Sequence, residues 1–233
     1  LTCVYHHYYT EQAAGICLKE EYQPSLLGGF QEVHTDLEKA DRVYQAIRRK
    51  ISYMDLRRIY KCFLSTVPDK EMILLRYIVL GFHIGSGISK LHGNPDVFAA
   101  QEIEKKINVE AERMRQFVRF SVMQGDILYA RIEPDHDVLE LIGDHFSDRF
   151  RNDPFLIHDV RRSKAMAGYQ GKWYVTSFAE NDVPEESEEE KEYQALWQKY
   201  FDHIAIKERK NSNCQRNFMP LRYRKHLTEC QMR

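Results

Sequence analysis

The apolar residues of this chain change their repeat near its middle, and that change restricts the fold more than any other feature. Up to about residue 110 they recur at three- and four-residue intervals, the signature of amphipathic helices. Thr35-x-x-Glu38 reads as a capping box for Leu37, Ala40, Val43, Tyr44 and Ile47. Ser52-x-x-Asp55 reads as a second cap, before Leu56, Ile59, Tyr60, Phe63 and Leu64. Pro68 suits the first turn of a third helix over Asp69 to Leu80, with Gly81 and Gly85-Ser86-Gly87 ending it. A fourth helix is expected from Pro95 to Gln116, broken near Asn108.

Beyond that point the repeat shortens. Phe117 to Met123 and Ile127 to Glu133 flank Gln124-Gly125-Asp126, and Ala165 to Tyr169 and Trp173 to Phe178 flank Gln170-Gly171-Lys172. Both read as hairpins. Between them lie a helix with Val138, Leu139, Ile142, Phe146 and Phe150 on one face and a buried strand over Phe155 to Val160. Tyr193, Leu196, Trp197, Tyr200, Phe201 and Ile204 then return to helical spacing. The fold class is therefore α+β: a helical N-terminal half, then an antiparallel sheet with packed helices. The expected division is a mainly helical lobe over 1–110 and an α+β lobe with a basic C-terminal segment over 111–233, with the junction between residues 108 and 117.

Net charge is −1, which excludes a whole-domain basic footprint for nucleic acid. Charge is nevertheless segregated. Glu180 to Glu192 holds eight acids and one lysine, whereas Lys207 to Arg233 holds eight Lys/Arg and two acids. The five cysteines are irregularly spaced and form no C-x-x-C pair, so reduced thiols in a cytoplasmic protein are expected. Leu1 to Cys17 lacks the pattern of a signal peptide. The apolar run Met72 to Phe82 is interrupted by Arg76 and reads as too short for a bilayer, so no membrane partner is expected. Ten histidines are scattered without metal-ligand spacing. Neither a metal nor a cofactor is expected. Gly85-x-Gly87 follows a helix rather than a strand, so it reads as a turn and not as a dinucleotide loop.

Three stretches can carry chemistry. Glu110-Ala-Glu112-Arg113-Met-Arg115 runs on to Arg119, and its guanidinium groups suit either Glu–Arg pairing or a phosphate clamp. His158-Asp159-Val-Arg161-Arg162 ends a strand and fits either an internal ion pair or an anion site. The richest is Ile206 to His226, where Asn211, Gln215 and Tyr223 can meet bases while Arg209, Arg216 and Arg222 meet phosphates. A basic arm wrapping the body is the alternative reading.

Further motifs add to these. They are Thr35-Asp36 with Lys39-Ala40-x-Arg42-Val43, Lys50-Ile51-Ser52, Phe63-Leu64-Ser65, Phe117-Val118-Arg119-Phe120, Ala130-x-Ile132-x-Pro134 and His145-Phe146-x-x-Arg149-Phe150. Ile157-His158-Asp159-x-x-Arg162, Leu196-Trp197, Ile206-x-Glu208-Arg209-x-Asn211, Cys214-Gln215 and Pro220-x-Arg222-Tyr223 complete the set. Across Val33 to Glu229 the chain resembles a bacterial family of uncharacterised proteins assigned to DNA metabolism. Some members are fused to a uracil-DNA glycosylase-like domain, and others are encoded beside a radical-SAM protein associated with DNA repair. The family often has His where this chain has Glu112, and an Asp-Gly pair in its first strand where this chain has Tyr5-His6-His7-Tyr8-Tyr9.

The resemblance implies a DNA-repair or modification accessory protein with such a partner, holding nucleic acid through Arg119, Arg149, Arg162, Arg209, Asn211, Gln215, Arg216, Arg222 and Tyr223. Two other functions are carried forward. One is an enzyme acting on a nucleotide or nucleic acid, with Asp36, Glu110, Asp159 or Glu208 as the acid or base beside an arginine. The other is a protein-interaction subunit without nucleic-acid contact.

Overall fold

A computed structural model describes residues 1–23, 29–183, 185–204, 211–227 and 230, apart from the side chains of Asp182, Gln198, Phe201, Asp202, Ile204 and Ser212. The chain is α+β and divides into two compact units, Leu1–Asn108 and Val109–Arg233.

The first unit is helical, with α1 Thr2–Tyr9, α2 Leu37–Lys50, α3 Tyr53–Phe63, α4 Lys70–Ile84 and the first part of α5 Pro95–Phe117. Tyr5 to Tyr9 is thus helix rather than strand. Asp36, not Thr35, caps α2: its Oδ1 accepts the Lys39 N–H at 3.0 Å. Ser52 caps α3 as its spacing predicts, accepting the Asp55 N–H at 3.0 Å. Val43, Ile47, Leu56, Ile59, Leu74, Leu75 and Ile78 are buried.

Gly81 does not end α4. A Cβ there would lie 2.5 Å from Ile51 Cδ1, so glycine is what lets these two segments approach. α4 then continues into a 3-10 turn, Gly85–Lys90. Lys70–Lys90 is therefore longer than its sequence suggests. Among the described residues it is one helical run long and apolar enough to cross a membrane, with 33% of that stretch buried within the protein. α5 runs unbroken through Asn108, because Val97, Ala100, Ile103, Ile107, Ala111 and Met114 keep one buried face along it.

The second unit holds a five-stranded sheet in the order β1-β2-β3-β4-β5, with β1 Ser121–Met123, β2 Ile127–Ile132, β3 Phe155–Asp159, β4 Lys164–Tyr169 and β5 Lys172–Ser177. Both expected hairpins form, and both turns need positive φ: 81° and 58° at Gly125 and Asp126, 54° and 73° at Gln170 and Gly171. The sheet is not wholly antiparallel. β2 and β3 run parallel, with Leu128 opposite Phe155 and Ile132 opposite Asp159. They are joined through α6 Leu139–Arg149, since parallel neighbours need a crossover rather than a turn. Val138, Leu139, Ile142 and Phe146 are buried. Gly143 brings α6 against the sheet: a Cβ there would meet the Trp173 ring at 2.4 Å. α7 Glu188–Ile204, α8 Ser212–Phe218 and a 3-10 turn, Leu221–His226, complete the unit. Among the described residues no disulfide forms.

Candidate nucleic-acid interface

The parallel pair β2–β3 ends at Ile132 and Asp159. The loop Glu133–Asp137 leaves the carboxyl end of β2 and carries four ionisable side chains, Glu133, Asp135, His136 and Asp137. Buried Glu110, on α5, fastens this loop. Its carboxylate accepts the N–H groups of Asp135 at 2.9 Å and His136 at 2.7 Å. Tyr223 donates its hydroxyl to the same carboxylate at 2.9 Å. One carboxylate thereby ties α5, the loop and the C-terminal 3-10 turn together.

The β3 end supplies a second tie. Asp159 is fully buried and receives Arg162 Nη1 at 2.8 Å. The same guanidinium donates to the carbonyls of Pro134 at 3.2 Å and Asp135 at 2.5 Å. Burial pushes the Asp159 carboxyl up, against the pull of Arg162. Asp137 pairs with Lys164. Glu133 receives Lys225 at 2.5 Å and His226 Nε2 at 3.0 Å, which together hold its carboxyl below the usual range.

Cations converge on Asp135 from two directions. Arg161 Nη1 lies 3.2 Å from one oxygen, and Arg222 pairs with the other. Arg161 is exposed, while the side chain of Arg222 is about half exposed at 49% and lies over the Tyr223 ring, 4.8 Å from its centroid. Tyr223 itself is buried at 6% exposure beneath Arg222 and beside Phe117.

These positions revise several expectations. Tyr223 cannot stack on a base, because its ring is buried and its hydroxyl is engaged. Arg162 is spent on Asp159 and two carbonyls. Glu110 and Asp159 do meet around one loop, but both lie beneath the surface with their oxygens engaged, an arrangement suited to bracing rather than to reacting with a substrate. Asp36 lies in the first unit as a helix cap. Asn211 caps α8 through the Cys214 N–H at 2.9 Å, and Gln215 and Arg216 are exposed on that helix. Arg149 is exposed on α6, over the Phe150 ring. Arg119 donates to the Gln116 carbonyl at 3.0 Å and lines a separate pocket. Glu208 and Arg209 lie outside the described residues.

Asp135 and Asp137 were not singled out from sequence. The available signal was a charged run directly after a strand and before a helix, the place where the carboxyl ends of parallel strands gather functional loops.

Three histidines of this unit are pushed down by burial: His136, His158 and His226. His158 is 1% exposed, with Tyr129 Oη 2.9 Å from its Nδ1. A folded-state value below the unfolded one, about 6.5, means that the unfolded chain takes up the proton first. Stability is then fully present above about pH 6.5 and declines as pH falls from there through the folded values. Urea unfolding followed at pH 7.5, 6.5 and 5.5 is expected to show that decline, and His158→Gln is expected to flatten it. Equal midpoints for the unsubstituted protein across the series would refute this assignment.

Together the fold and site define an α+β domain with an acid–arginine cluster at the carboxyl end of a parallel strand pair. A family model for a domain of unknown function, DUF4130, matches residues 68–229, and the chain belongs to that family. No curated protein and no solved structure matches the chain.

Proposed function

We propose that the protein is a cytoplasmic DNA-metabolism accessory factor whose second unit holds nucleic-acid phosphates. One observation carries this reading. The 3-10 turn Leu221–His226 is pinned by buried Tyr223 and Leu227, and it displays Arg222 and Lys225, with Arg161 reaching the same Asp135 carboxylate as Arg222. Pinning matters, because a guanidinium held in place loses little freedom when it grips a phosphate. Arg119, Arg216, Asn211 and Gln215 are further candidate contacts, whereas Arg149 ends α6 near the start of β3, at the opposite end of the parallel pair from this turn. The resemblance to DNA-metabolism proteins supplies the context, with a glycosylase-like or radical-SAM protein as the proposed partner.

Fluorescence anisotropy of labelled single- and double-stranded DNA tests the reading. Three phosphate contacts on duplex predict an affinity loss on the order of 40-fold between 50 and 200 mM salt, because bound phosphates release counterions. Arg222→Ala combined with Lys225→Ala is expected to weaken binding and to flatten that slope. Affinity indifferent to salt would rule out phosphate contacts.

A second reading, an interaction subunit without nucleic-acid contact, is supported by α7. Tyr193, Leu196, Trp197 and Tyr200 are 67%, 60%, 46% and 54% exposed, a stripe suited to a protein partner. It replaces the first reading if DNA binding is absent at low salt.

A further inference from the structure

The first unit carries a basic stretch of its own. Arg42 to Lys61 holds seven Lys/Arg and one acid, Asp55. Asp55 is buried, so the outer side of this stretch carries no carboxylate. On α3, helical spacing places Tyr53, Met54, Tyr60 and Lys61 around Arg57, three and four positions away on either side. None of them is an acid. Arg48 and Arg49, in the last turn of α2, have no acid at those spacings either. All three arginines are exposed, and among the described residues none has a hydrogen-bond, ion-pair or ring partner. A solvated helix face ordinarily pairs its charges at these intervals. Arg58, one position on, shows the contrast, reaching Asp55 at 3.0 Å and Glu104 at 2.6 Å.

A second observation concerns what lies between the cations. Tyr53 is 54% exposed, and Met54, Tyr60 and Phe63 are exposed beside it. Single exposed apolar residues are ordinary, but a row of them on one short helix marks a contact surface. Tyr53 and Tyr60 stand seven residues apart, about 10 Å along the axis, with Arg57 between them. Ile51 and Ser52 alone separate α2 from α3, which puts Arg48 and Arg49 at the Tyr53 end of the row. The inner face of α3 is fixed by Asp55 and Arg58, so the outer row is presented with little left to order on binding.

We infer that the outer face of α3 binds single-stranded nucleic acid, with bases stacked on Tyr53 and Tyr60 and phosphates held by Arg57, Arg48 and Arg49. Unpaired guanidinium groups complement a phosphate chain in charge and geometry. Planar rings interleaved with them add what an acidic peptide or a lipid headgroup would not use, a face for unpaired bases. Duplex bases are already stacked on one another and leave these rings without a role. The inference rests on the first unit alone and does not need phosphate contacts at the Leu221–His226 turn.

Fluorescence anisotropy with labelled oligothymidylate, and with an abasic strand of equal length and charge, reads this face in the full chain. Tyr53→Ala is expected to weaken oligothymidylate binding by roughly 5- to 100-fold. Arg57→Ala is expected to lower the slope of log affinity against log salt by about 0.7. The abasic strand is expected to bind more weakly than oligothymidylate and to lose little in Tyr53→Ala. Both positions are exposed, so urea midpoints are expected to hold; should the alanine variant unfold, Tyr53→Leu removes the planar ring while keeping apolar cover. Unchanged oligothymidylate affinity in a folded Tyr53 variant or in Arg57→Ala would overturn the inference. So would equal affinity for the abasic strand, or equal competition by polyglutamate, which would make the face a surface for acidic protein. Crossing these changes with Arg222→Ala and Lys225→Ala separates the two units. If the Arg222 and Lys225 changes alone abolish oligothymidylate binding, the α3 face fails while the reading of the second unit stands. If they change nothing and the Tyr53 and Arg57 variants abolish it, the reverse holds.

Discussion

Asp55→Ala is expected to destabilise the protein by about 3–5 kcal/mol, the range for breaking a buried ion pair from one side. Asp55 is 1% exposed. Its Oδ1 accepts from Arg58 at 3.0 Å, from the Tyr77 hydroxyl at 2.6 Å and from Ser89 Oγ at 2.5 Å, and Oδ2 accepts from Ser52 Oγ at 2.5 Å. Arg58 in turn donates to Tyr77 at 2.8 Å, to Ser89 at 2.7 Å and to Glu104 at 2.6 Å. Alanine strips an acceptor from four donors at once, across α3, α4 and the 3-10 turn after it. Domains of this kind have about 5–15 kcal/mol in total, so such a loss is visible in urea unfolding as a large fall in midpoint.

Asp55→Asn keeps the shape and one acceptor oxygen while losing the charge, and is expected to cost less, about 1–3 kcal/mol. The pH dependence checks the same network. Burial pushes the Asp55 carboxyl up, but its hydroxyl donors and Arg58 outweigh that and hold it below the usual value. A depressed carboxylate stabilises the fold above the unfolded value, about 3.9, and that contribution is lost as pH falls through the folded value. Acid unfolding of Asp55→Asn should lack this component. An alanine variant that loses less than about 1 kcal/mol would show that the network is dispensable.

Much of the local structure was legible because local chemistry decides it. Ser52 caps α3, and the Gly125 and Gly171 turns form, because each depends on residues within a few positions. Thr35 and Asp36 are adjacent and both can cap; the selection rests on which side chain reaches an N–H, and Asp36 reaches Lys39. Gly81 and Asn108 look like breaks in isolation, yet packing overrides both, one through contact with Ile51 and the other through an apolar stripe running from Val97 to Met114. The parallel β2–β3 pair was hidden for a different reason. The hairpins flanking it are antiparallel, and only the helix between Ile132 and Phe155 signals a crossover. The site followed the same rule. Glu110, Asp159, Arg162, Arg222 and Tyr223 stand out as residues, but their placement around Asp135 and His136 depends on sequence separations of up to 113 positions. Burial also changed what they can do: Tyr223 looks like a stacking platform in sequence and is a strut in the fold.

That strut gives the second large effect. Glu110→Ala is expected to cost about 3 kcal/mol, since it leaves the Asp135 and His136 N–H groups and the Tyr223 hydroxyl without their charged acceptor. Removing a buried carboxylate offsets part of the loss, which keeps the figure below the sum of three charged hydrogen bonds. Tyr223→Phe removes only the hydroxyl that the tyrosine donates and is expected to cost about 1–2 kcal/mol. The double variant should cost less than the two single losses combined, because the Glu110–Tyr223 bond is counted in both. The two substitutions also separate stability from function. Tyr223→Phe keeps the ring under Arg222 but removes the turn's hydrogen bond to Glu110, leaving only the Arg222–Glu110 pair at 4.0 Å. Protease cleavage within that turn should rise, and DNA affinity should fall through a faster dissociation rate. Unchanged cleavage and unchanged stability in Tyr223→Phe would mean that the turn is held by its apolar contacts and its ion pairs with Glu133 and Asp135, without need of the Tyr223–Glu110 bond.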